Sequence, residues 1–133
     1  MRGRVRLPRT YRDLLVWKKA KHLATLVYRE TDQFPKSELF GLTSQMRRAA
    51  VSIPSNIAEG QGRLTKGEFR QFLGHARGSV LELETQLAIA YDLGYLREQG
   101  YEALESQTFQ IPGLLNRLLE SLTLSETLKP SRH

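Results

Sequence analysis

Residues 45 to 63 read QMRRAAVSIPSNIAEGQGR, and their spacing is helical. On a helical wheel Leu42, Met46, Ala49, Ile53, Ile57 and Gly60 fall on one stripe, three and four positions apart. Gln45, Arg48, Ser52, Asn56 and Glu59 form a second stripe beside it. Ala50, Val51, Pro54 and Ala58 cover much of what remains. A surface helix of a small monomer leaves one polar face to water. This segment predicts neighbours on more than one side, and therefore an assembly element.

Working outward, the periodicity predicts four helices and no strand. The first begins near Thr10, where Thr10 and Asp13 are spaced like a capping box. Leu14, Trp17, Ala20, Ala24 and Val27 make its core stripe, widened by Leu23 and Leu26. It should stop before Pro35, because a residue preceding proline is pushed out of the helical region. The second starts around Ser37 or Gly41, bends at Pro54, and ends at Gly60 and Gly62. Thr65 and Glu68 then form a capping box for the third helix, which Gly94 closes. Its core stripe runs from Phe69 through Leu73, Val80 and Leu87 to Tyr91. Gly67, Gly74, Gly78 and Thr85 share the opposite side. Each interior glycine costs about 1 kcal/mol of helix propensity. The row predicts either close approach of another backbone or a merely weakened exposed face.

The fourth helix covers residues 98 to 124, with Leu104, Phe109, Ile111, Leu115 and Leu119 among its apolar set. Pro112-Gly113 predicts a kink or a fresh start. Short connections favour antiparallel neighbours, so the expected architecture is an all-α, up-down-up-down four-helix bundle. Residues 1–9, MRGRVRLPR, read as a basic N-terminal arm, 10–124 as the bundle domain, and 125–133 as a flexible C-terminal tail.

With 133 residues the chain is long enough for one domain with a real core. It has no cysteine, which removes disulfides, thiolate zinc sites and cysteine nucleophiles. No apolar run is long enough to span a membrane, and the basic N-terminus lacks the apolar segment of a secretory signal. A cytoplasmic protein with no membrane partner is expected.

The net charge of +6 is unevenly spread. Residues 1 to 30 hold nine Lys or Arg against Asp13 and Glu30, a net +7. Residues 31 to 80 carry +3 and residues 81 to 133 carry −4. A basic front and acidic back suggest either an anionic partner, usually nucleic acid, or self-complementary packing between subunits.

The segment at 45–63, followed by GEFRQFLGHARGSVLELETQLAIAYDLGYL, resembles the four-helix bundle family of 23S rRNA intervening-sequence proteins. Upstream, LLVWKKAKHLATLVYRETDQFP is similar to that family's first helix and its exit. The family is similar in fold to the accessory variability proteins of diversity-generating retroelements. The resemblance implies a left-handed bundle assembled as a ring-like homopentamer, with no known catalytic activity. For the retroelement proteins it implies nucleic-acid binding through a basic surface and a reverse transcriptase as partner.

The candidate chemistry divides in two. Gln45, Arg48, Ser52, Asn56 and Glu59 read as a structural polar network that fixes helix register, joined by Glu82 or Glu84. Arg48 and Glu59 lie about 16 Å apart along one helix, so each needs another partner. Arg48 with Glu82 or Glu84 is the expected cross-helix pair. The expected phosphate contacts are Lys18, Lys19, Lys21, Arg47, Arg63, Lys66, Arg70 and Arg77.

Nothing reads as catalytic. Glu59-Gly60-Gln61-Gly62-Arg63 lacks P-loop spacing and its lysine. His22, His75 and His133 form no zinc motif, and no metal or cofactor is expected. The expected function is a non-enzymatic, oligomeric bundle that binds RNA or DNA. The alternatives are an accessory variability protein partnering a reverse transcriptase, and a protein-interaction scaffold without a nucleic-acid role.

Overall fold

A computed structural model describes residues 11–127, and within them the chain forms four α-helices and no strand. They are α1 (Leu15–Thr31), α2 (Leu42–Gln61), α3 (Lys66–Asp92) and α4 (Glu98–Thr127). Each helix packs on two others: α1 on α2 and α4, α3 on α2 and α4. The diagonal pairs do not touch, so the four surround one shared core. The basic arm at 1–9 and the Thr10 cap lie outside the described residues, as does the tail from residue 128.

All six residues of the α2 apolar stripe are buried, with Met46, Ile53 and Ile57 fully so. Ala50 and Pro54 are buried as well, because α2 is flanked by α1 on one side and α3 on the other. At Gly60 α3 packs closely on α2. A Cβ there would meet Phe69 Cδ1 and Phe72 Cβ at 2.9 Å and the Phe69 carbonyl at 3.2 Å. Within the single chain, α2 keeps one open face. Gln45, Arg48, Val51, Ser55 and Glu59 are exposed, since two flanking helices cannot wrap the side opposite the core.

Caps define α3 closely. The Thr65 hydroxyl accepts the Glu68 N–H at 3.1 Å. At the far end the Gly94 N–H reaches the Tyr91 carbonyl and the Tyr95 N–H reaches Ala90, both at 3.0 Å. That pair of bonds is a Schellman motif, and it needs the left-handed φ of +77° that Gly94 supplies.

Three expectations are corrected. Helix α1 begins at Leu15 after a single 3-10 turn over Tyr11–Asp13, and no side chain caps it. Helix α4 runs unbroken through Pro112 and Gly113 to Thr127. Ile111 and Leu115 are fully buried on either side of that proline, so core packing holds the helix together despite a lost hydrogen bond. Phe109, expected in the core, is 63% exposed, and Thr108 is buried in its neighbourhood with its hydroxyl bonded to the Leu104 carbonyl at 2.6 Å.

Candidate nucleic-acid interface

The expected cations fall into three settings. On α1, Lys18 and Lys21 are exposed and Lys19 is half-buried. Lys21 Nζ sits 5.6 Å from the centre of the Trp17 ring, which in turn stands edge-on to Tyr11. At the turn from α2 into α3, Arg63 is exposed while Lys66 and Arg70 are half-buried. The Arg63 guanidinium lies over the Phe72 ring and pairs with Glu59 at 2.9 Å. Arg77 is exposed further along α3.

Shallow grooves tie these groups to one region. Lys21 shares a depression with Pro54, and Arg63 shares another with Ser55 and Ala58. Both groups therefore flank the second half of α2. Leu64, between Arg63 and Lys66, is 98% exposed. Sequence reasoning passed over it, although its place between the helix-ending Gly62 and the Thr65 cap lets no helix face bury it.

Arg47 stands apart. Its Nε donates to the Thr31 hydroxyl at 2.9 Å, a second nitrogen reaches the Tyr28 carbonyl at 3.4 Å, and the guanidinium lies over the Tyr28 ring. A cation on the last turn of a helix also meets the negative end of its dipole. Arg47 thus fastens the end of α1 to α2, a role distinct from the phosphate contact expected of it.

The polar stripe forms a smaller network than expected. Within the stripe only Ser52 and Asn56 interact, and Ser79 is the cross-helix partner of Ser52. The Ser52 and Ser79 hydroxyls are hydrogen-bonded, and Asn56 Nδ2 donates to the Ser52 carbonyl at 2.8 Å. Arg48 reaches only the Ser44 hydroxyl, at 3.3 Å, and pairs with neither Glu82 nor Glu84. Gln45 is exposed, and Glu59 is taken by Arg63. Arg48 and Glu82 are both exposed, and Glu84 is half-buried.

The opposite end of the bundle carries carboxylates bonded to tyrosines. Tyr91, Tyr95 and Tyr101 donate to Glu98, Glu38 and Glu105 at 2.6, 2.9 and 2.8 Å. Each bond holds its phenol above the ordinary tyrosine pKa, because ionisation would set two anions side by side. Glu38 is held below the ordinary carboxylate range, chiefly by the Leu42 N–H and then by Tyr95. Among the described residues no group of three His, Cys, Asp or Glu could hold a metal ion. No helix among them is long and apolar enough to cross a membrane.

The described residues define the class as a small all-helical protein of four helices, with exposed cations on α1, on α3 and at the turn between α2 and α3. The chain belongs to the family of 23S rRNA-intervening sequence proteins, whose family model matches residues 12–117. Among solved structures it is similar to a protein of unknown function from the S23 ribosomal protein family of Bacteroides thetaiotaomicron VPI-5482. That match has a TM-score of 0.71 at 22% identity and covers 79% of this chain and 98% of the other. No curated protein matches the chain.

Proposed function

We propose that this protein is a non-enzymatic, oligomeric nucleic-acid-binding bundle that grips phosphates through Lys18, Lys21, Arg63 and Arg77. The observation that carries the reading is the exposure of these four cations, of which, among the described residues, only Arg63 is paired with a carboxylate. Phosphate binding needs cations within reach of a repeating charge and little else. Lys19, Lys66 and Arg70 lie close by in sequence and support the rim. The net +7 of residues 1–30 adds an attractive field.

The helices are read as running up-down-up-down with a left-handed twist. Supporting this, Tyr28 meets Arg47 while Lys21 meets Pro54, so rising α1 numbers match falling α2 numbers. Gly60 with Phe72 and Ser52 with Ser79 set α2 against α3 in the same way. The assembly is read as a homopentameric ring, on the family resemblance and on the open face of α2. Five copies of a weak phosphate site would bind one strand far more tightly than one copy.

The test is fluorescence anisotropy with labelled single-stranded RNA and duplex DNA of mixed sequence. Neutralising about four phosphates predicts an affinity loss of roughly a hundredfold between 50 and 200 mM salt. Absence of binding at low salt, or affinity indifferent to salt, overturns the reading.

A further inference from the structure

The geometry points to the open face of α2 as the seat for the outer face of α3 from a second copy of this chain. This rests on the oligomeric reading above and names the two surfaces that meet.

The seat is a groove of about 720 Å³ beside α2. Short side chains, Ser44, Val51 and Ser55, line it, and Phe40 and Arg48 stand at its edge. Phe40 is 93% exposed, and Leu39 and Val51 are exposed beside it. The core-directed faces of α2 are taken by α1 and α3, and among the described residues no helix of the same chain covers this one. Apolar side chains gathered at an uncovered groove mark an interaction surface.

The chemistry of the occupant follows from Arg48. Its one hydrogen bond is to the Ser44 hydroxyl, and among the described residues no carboxylate pairs with it. The occupant should bring an apolar knob, a flat surround and a free carboxylate. The outer face of α3 has all three. Leu81 is 57% exposed and points away from the core. Around it lie Gly78, Thr85 and Ala88, all exposed. The Thr85 hydroxyl turns back to the Leu81 carbonyl at 2.9 Å, so the methyl is left outward. A Cβ on Gly74 or Gly78 would meet nothing within 4 Å, which leaves room for Phe40 of the other copy. Glu82 and Glu84 flank the knob without an ion pair of their own among the described residues.

The exposed Phe109 of α4 is the competing knob, and Glu102 on its face has no ion pair among the described residues, but Glu105 and Asn116 flank that knob where Leu81 has Gly74, Gly78, Thr85 and Ala88. The flat surround therefore selects α3, whose Glu82 and Glu84 complement Arg48. The pair expected within one chain, Arg48 with Glu82 or Glu84, is made between chains. Seat and knob are different surfaces of the same molecule, so each copy gives one and receives one. Such head-to-tail contacts close into a ring when the rotation allows.

The chain has no cysteine, which makes an introduced pair unambiguous. Val51→Cys and Leu81→Cys are placed singly and together, and the proteins are mildly oxidised and run without reductant. The double variant should give a ladder beyond the dimer, and each single variant no cross-link. A cross-linked dimer from either single variant means a two-fold contact and overturns the inference. An uncross-linked double variant whose native mass is oligomeric also overturns it, while leaving the oligomeric reading intact. A wild-type native mass of 15.2 kDa removes the oligomeric reading itself, and an outside helix then becomes the occupant. As a second arm, Arg48→Glu should drop the native mass to the monomer, and adding Glu82→Arg and Glu84→Arg should restore it. Circular dichroism confirms that each variant remains helical. An oligomer unaffected by Arg48→Glu counts against the proposed seat.

Discussion

The Tyr95 hydroxyl donates to the Glu38 carboxylate at 2.9 Å, across 57 residues of sequence. The other oxygen of Glu38 accepts the Leu42 N–H at 2.9 Å, at the start of α2, where Gly41 offers no side-chain cap. One carboxylate thus caps α2 and ties it to the turn between α3 and α4. The folded pKa of Glu38 lies below its ordinary 4.5. Its contribution is therefore present above the unfolded pKa and is lost as pH falls through the lower folded value. Tyr95 has the opposite sign: its folded pKa is raised above 10.0, so its contribution is lost as pH rises through that value. Melting temperature followed against pH should show wild type losing its advantage over Glu38→Gln below pH 4.5. A difference that does not change with pH contradicts the assignment.

Gly60 and Gly78 should respond oppositely to alanine. At Gly60 the new methyl meets backbone and ring atoms of Phe69 and the Cβ of Phe72, and the carbonyl among them cannot swing aside. Overpacking of this kind costs about 1–3 kcal/mol, more than the helix propensity gained. At Gly78 nothing lies within 4 Å, so Gly78→Ala should stabilise an isolated bundle by up to about 1 kcal/mol. Urea unfolding of both variants measures the contrast.

Arg47 should matter for stability and little for nucleic-acid affinity. Arg47→Ala removes two hydrogen bonds and the contact with the Tyr28 ring, an expected loss of about 1–2 kcal/mol. Lys18→Ala and Lys21→Ala should do the reverse, because both side chains are exposed. Denaturant melts and anisotropy titrations of the same three variants separate the two roles.

Pro112 lies inside an unbroken helix and is half-buried. Alanine there would restore an N–H to the ladder and relieve the ring's clash with the turn before it. The stabilisation should be about 1–3 kcal/mol, read from urea unfolding. Unchanged or lower stability would mean that the proline ring packs in a way alanine cannot replace.

Local pattern carried much of the fold. Six residues of α2 at helical spacing were enough to mark the buried stripe, and Thr65 with Gly94 marked both ends of α3. The misreadings arose where distant packing outweighed local preference. Pro112-Gly113 signalled a kink or a fresh start, and the fresh start is absent because Ile111 and Leu115 anchor the helix in the core on either side. The apolar stripe puts Leu14 in the first helix, yet a 3-10 turn over Tyr11–Asp13 precedes an α1 that starts at Leu15. The Glu38–Tyr95 bond joins residues too far apart for any periodicity to pair them. For the candidate interface, sequence could not tell exposed Lys18 from tethered Arg47, since both are basic residues on amphipathic helices.

The central claim is phosphate binding by exposed cations, and its most direct test is the salt slope of nucleic-acid affinity. Wild type and a Lys18→Ala, Lys21→Ala, Arg77→Ala triple variant would be titrated with the same labelled duplex across a range of salt. Each lost phosphate contact should lower the slope of log affinity against log salt by about 0.9, so the triple variant should be flatter by nearly three. Equal slopes for the two proteins would contradict the account.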